Sequence, residues 1–117
     1  MILESRSIVF SDEELLLALR PVLEGRNIPA EPPLKEIISE LDEDSEVSVR
    51  MVLNDGSDPI VFNSREVGAA VLNHCIEQGV PLPRGSYKEL AIRGEHIALI
   101  VRLESSGVVS GIDEDDE

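Results

Sequence analysis

Two histidines and one cysteine are the residues best suited to nucleophilic or metal chemistry in this chain of 117. His74 and Cys75 adjoin, and adjacent residues on a helix do not face each other, so they form no nucleophile–base pair. His96 falls in a tight turn with no evident partner. Two histidines and a single cysteine have no zinc-finger or ribbon spacing. The run Asp42-Glu43-Asp44-Ser45-Glu46 lacks the central glycine and the spaced glutamate of a calcium loop. The glycines are scattered and make no phosphate cradle, and no serine stands in a nucleophile elbow. The expectation is no catalytic residue, no metal and no cofactor: a non-catalytic protein.

Charge points to the same class. The chain carries 24 acidic and 10 basic side chains, net −14. Residues 1–56 are net −8, residues 57–104 net −1 and residues 105–117 net −5. Such a surface repels a phosphate backbone, so no nucleic acid is expected as partner. One stretch departs from that background. Arg84, Lys88 and Arg93, together with Tyr87, fall within ten residues holding a single acid, Glu89. Arg65 and Arg102 lie in the same half. A solvated face is the plain explanation. The functional one is a docking patch for a carboxylate-rich protein surface or another anionic group.

The segment Pro83 to Leu99 resembles the swapped-hairpin antitoxin and transition-regulator family at Pro83, Arg84, Leu90, Ile92, Gly94 and Glu95. That resemblance implies a nucleic-acid-associated regulator contacting DNA through the second half. The spacing to the turn is one residue short of the family pattern. Acid replaces the basic residues that follow the turn, and the upstream strand and helix have no place in it.

The elements that must position these residues occur twice. At an offset of 52, six of the 22 positions from Ile8 to Pro29 are identical to Ile60 to Pro81, beginning with Ile-Val-Phe in both. Ser11-x-x-Glu14 and Asn63-x-x-Glu66 are capping-box patterns, so each Ile-Val-Phe strand should lead into a capped helix. The first helix is expected over 12–24, kinked or ended near Leu19 by Pro21. The second is expected over 64–78, closed by Gly79, with Cys75 buried and His74 partly exposed. Each helix is followed by an Ile/Val-Pro step and a hairpin. One hairpin takes 34–41 and 47–53, with a short helix over 34–41 as the alternative. The other takes 87–92 and 97–103, where Ile97 to Val101 is apolar on both faces. The last strands align as Val47/Ile97, Val49/Leu99, Met51/Val101 and Leu53/Leu103.

The expected fold is therefore α+β: an internally duplicated βαββ unit, about 6–54 and 58–104, forming one pseudo-two-fold domain. Its two helices would cover a shared mixed or antiparallel sheet, with residues 105–117 a flexible acidic tail. No apolar run is long enough to span a membrane, and one cysteine precludes an internal disulfide. A cytoplasmic, monomeric, bacterial protein is expected. The function these features favour is a small acidic binding or adaptor module docking a protein partner through Arg84, Lys88, Arg93 and Tyr87. The alternatives are the antitoxin-like regulator and an acidic inhibitor that mimics DNA.

Overall fold

The structure is a computed structural model that describes residues 2–29 and 31–105. Apart from Ser105, the expected acidic tail lies outside the described residues. The chain is α+β, with the order β1 (Ile2–Val9), α1 (Asp12–Gly25), β2 (Leu34–Leu41), β3 (Val47–Leu53), β4 (Ile60–Phe62), α2 (Ser64–Glu77), β5 (Tyr87–Arg93) and β6 (His96–Ser105). Strand–helix–strand–strand thus occurs twice, and the segment 34–41 is a strand.

Local chemistry fixes both helices. The Ser11 hydroxyl accepts from the Glu14 N–H, and the Asn63 side chain accepts from the Glu66 N–H. In α2 the Glu66 carboxylate also returns to the Asn63 N–H, completing the capping box. Both helices end alike. Asn27 (φ 59°) and Gly79 (φ 75°) turn left-handed one residue past the cap. The next amide then reaches back, Ile28 to the Leu23 carbonyl and Val80 to the Cys75 carbonyl. This is the Schellman closure, and it satisfies carbonyls the helix leaves open. Pro21 does not end α1, which runs on to Gly25. Its missing donor falls on the outward side of the helix, where Leu17 and Pro21 are exposed and water can replace the lost bond.

The strands do not share one sheet. They form two three-stranded antiparallel sheets, ordered β1-β6-β5 and β2-β3-β4. The reason is that β1 and β4 each leave their own half. β1 pairs along its length with β6, Ile8 opposite Leu99, and β4 pairs with β3, Ile60 opposite Met51. Two residues separate β1 from α1, and one separates β4 from α2. The hairpins differ in length: residues 42–46 lie between the paired Leu41 and Val47, and only residues 94–95 between Arg93 and His96.

One core joins the two sheets to α1 and α2. It contains Phe10, Leu15, Leu19 and Leu23 from one half and Phe62, Val67, Val71 and Cys75 from the other. Ile97, Leu99 and Val101 of β6 belong to it, whereas Ala98 and Ile100 are buried on the opposite face of the strand, outside this cluster. In the ladder Ala98 lies between Val9 and Ala91, and Ile100 between Ser7 and Glu89.

Phe10 and Phe62 are 5% and 0% exposed and supply the aromatic mass of the core. Truncating either to Ala should cost about 3–5 kcal/mol by lost transfer energy plus cavity. Chemical denaturation of the two variants measures this, and a loss below about 1 kcal/mol at either position would remove that residue from the core account.

Candidate docking site

Strand parity decides where the basic residues go. Leu90 and Ile92 pack on the core, so Lys88 shares their face, while Tyr87, Glu89, Ala91 and Arg93 point outward. Lys88 Nζ donates to the Ser86 carbonyl at 3.1 Å. Arg93 stands opposite His96 at the hairpin end, about 20 Å along the strand from Tyr87 at the usual rise per residue. Arg84 lies in the turn before β5. The four residues are thus not one cluster: Arg84 and Tyr87 share one end, Arg93 the other, and Lys88 the opposite face.

What surrounds Tyr87 comes from distant sequence. It lies opposite Arg102, which lies opposite Ser5, so Tyr87, Arg102 and Ser5 form one outward row across β5, β6 and β1. Leu3 follows two positions along β1. Leu3 and Tyr87 are 70% and 74% exposed, among the most exposed large apolar side chains described. With Glu4, Ser5, Arg102 and Leu103 they line a hollow of about 390 Å³. Arg102 pairs with Glu89 in the neighbouring row. The hollow therefore joins exposed apolar surface to a guanidinium and free hydroxyls, a combination suited to holding a peptide side chain or an acidic group. Of these residues the sequence singled out Tyr87 and mentioned Arg102. Leu3 and Ser5 carry no local signal, because only the pairing of β1 with β6 brings them there.

A second set of polar contacts clasps the helices. α1 and α2 run antiparallel, since Glu14 at the start of α1 meets His74 near the end of α2, and Arg26 at the end of α1 meets Glu66 at the start of α2. His74 Nε2 is 2.6 Å from Glu14 Oε2, and Arg26 Nη2 is 2.5 Å from Glu66 Oε2. Each places a basic group of one helix's C-terminal end on the first-turn glutamate of the other, where both dipoles favour it. Arg26 also donates to the Val61 carbonyl at 3.0 Å and lies 4.8 Å over the Phe62 ring. His74 was expected to be partly exposed. It is 8% exposed, because the helix pair closes over it and Phe10 lies against its ring. Cys75 faces the core, and burial raises its thiol above the usual range, which keeps it protonated and unreactive. Among the described residues no group of three or more His, Cys, Asp or Glu stands close enough to hold a metal ion. No helix among them is long and apolar enough to cross a membrane.

No family model, curated protein or solved structure matches the chain. Its function has to be argued from the geometry alone.

The Arg26 guanidinium hydrogen-bonded to Glu66 holds that carboxyl below its ordinary value. A lowered folded pKa gives stability that is present above the unfolded pKa, near 4.3, and is lost as pH falls through the folded value. Replacing Glu66 by Gln should cost about 1 kcal/mol at pH 7, allowing for partial exposure. That deficit should shrink as pH drops below about 4. Urea melts of both proteins at pH 7, 4 and 2.5 measure it, and a deficit independent of pH would show that the ion pair contributes nothing.

Proposed function

We propose that this chain is a non-catalytic docking module that receives an acidic segment of a protein partner at the exposed Leu3–Tyr87 end of the β1-β6-β5 sheet. The supporting observation is the outward row Tyr87–Arg102–Ser5 with Leu3 beside it: exposed apolar groups next to a guanidinium. Large exposed apolar groups beside arginine are the usual anchors of protein interfaces. Arg84 adds positive charge at the same end, and Arg93 extends it along β5. Lys88, on the other face, makes a smaller contribution. The rest of the molecule is acidic enough to repel most anionic partners, so this face also selects by charge.

We further infer that the fold is a duplicated βαββ unit with pseudo-two-fold symmetry, its two halves having exchanged their first strands. Support comes from the common offset of 52, which carries the Ile-Val-Phe strand, the N-cap, the helix and its Schellman closure in both halves. It comes also from the matched registers Ile8–Leu99 and Ile60–Met51. Divergence of charge after duplication would leave a single docking face where a symmetric unit has two.

The test begins with affinity capture from the native host using the full chain, followed by Tyr87→Ala with Arg102→Ala. The double variant should bind the captured partner at least tenfold more weakly, with its melting temperature changed by no more than about 3 °C. Retained binding, or loss on neutralising Asp42 and Asp44 instead, would move the docking face to the acidic half. Duplex DNA should show no micromolar binding in a mobility-shift assay at physiological salt. Salt-sensitive binding there would favour the antitoxin-like regulator.

A further inference from the structure

Each three-stranded sheet has two edges, and three of the four edges are blunted. β4 is only three residues long. β2 carries an irregularity between Leu34 and Glu36, where Lys35 is the extra residue. β5 lies against α2 and β3, with Leu90 of β5 close to Gly68 of α2. β1 is different. It is eight residues long, regular throughout its pairing with β6, and exposed from Leu3 to Ser7. Among the described residues no strand pairs with its other side. A long edge that no strand covers is a template for another strand, and the Arg6 guanidinium of β1 donates to the Pro81 carbonyl by its side chain, not through that backbone edge.

The backbone and the charges of β1 specify that strand. The Phe10 amide donates to the Ile97 carbonyl, so the even-numbered residues of β1 direct their polar groups to β6. The alternation of an antiparallel ladder then leaves the N–H and C=O of Leu3, Ser5, Ser7 and Val9 on the open edge. Two antiparallel copies of β1 must therefore match odd residues with odd. A two-fold axis at Glu4 would set Glu4 against its own copy, and one at Arg6 would set Arg6 against its own copy. An axis at Ser5 sets Glu4 opposite Arg6 of the second copy, and does so twice. Opposite charges directly across a ladder stabilise it and like charges oppose it. The sequence of β1 is a charge palindrome about Ser5.

We propose that the protein forms a symmetric dimer through β1, joining two three-stranded sheets into one six-stranded antiparallel sheet with its axis at Ser5. The sequence alone favours a monomer; the bare edge and its palindrome argue for two copies. The dimer continues the outward row, Tyr87–Arg102–Ser5, into the same row of the second copy running the other way. A contact limited to strand edges is small, so the dimer is reversible and forms at about micromolar concentration or above. The proposal is independent of the docking reading: the first concerns the β1 edge, the second a sheet face.

Sedimentation velocity on the full chain from about 1 to 500 µM tests it, spanning the concentrations at which small interfaces saturate. The mass should rise toward that of two chains. Ser5→Pro removes an amide that points to the open edge and leaves the β1–β6 ladder whole, so it should raise the dissociation constant at least tenfold with little change in melting temperature. Glu4→Arg puts like charges opposite each other and should weaken the dimer similarly, while Glu4→Arg combined with Arg6→Glu restores the palindrome and should recover it. A third readout does not depend on proline being tolerated. Ser5→Cys should cross-link to its own copy on mild oxidation, because directly opposed residues lie within disulfide reach. Ser7→Cys, opposite Leu3 of the second copy, should not. A chain that stays monomeric throughout, a dimer indifferent to the Glu4 and Arg6 changes, or faster cross-linking at position 7 than at 5 would each overturn the proposal.

Discussion

Backbone amides and carbonyls of a strand need partners, and in this chain β1 finds them in β6 and β4 in β3. Both β1 and β4 run almost directly into a capped helix. The open ladder positions are on the other half's hairpin. From this requirement come the two separate sheets, the single core lined by Phe10 and Phe62, and the dependence of each half on the other. Both strands stay at sheet edges, and the residue that follows or ends each, Phe10 or Phe62, is buried in the common core.

The helix pair then settles its own electrostatics. Two antiparallel helices bring each N-terminus beside the other's C-terminus. Glu14 and Glu66 are already fixed near the first turns by capping, and His74 and Arg26 reach them from across the interface. The ends differ in strength: Arg26 also covers Phe62 and bonds Val61, tying α1 to β4 as well as to α2. On the outer side of the second sheet, Glu40 raises the pKa of Arg50, chiefly through a hydrogen bond, so the guanidinium stays charged beside it.

Short-range signals were legible in the sequence and long-range ones were not. Ser11, Asn63 and Gly79 announce helix ends because caps are made of neighbouring residues. Asn27 takes the left-handed position that Gly79 takes, and Asn is the other residue that tolerates it. The pairing of β1 with β6 and of β4 with β3 was invisible because nothing local distinguishes pairing with one hairpin from pairing with another. The burial of His74 was missed because Glu14 lies 60 residues away. The docking patch was half visible. Arg84 and Tyr87 do share an end of β5, but period-two alternation alone separates Lys88 from Tyr87, and Leu3 and Ser5 reach that face only through the β1–β6 register.

The pairing of β1 with β6 has a consequence in time. Val9 lies opposite Ala98, so the first strand of the fold waits for the last. On the ribosome, 89 residues separate the two, an interval of roughly 5–20 s at ordinary synthesis rates. Sheet β2-β3-β4 closes long before, since Met51 and Ile60 are near neighbours in the chain. Until β6 emerges, Ile8, Val9 and Phe10 form an unpaired apolar strand on a half-built protein. That is the kind of segment holdase chaperones occupy, and a chain halted before β6 leaves it permanently unsheltered.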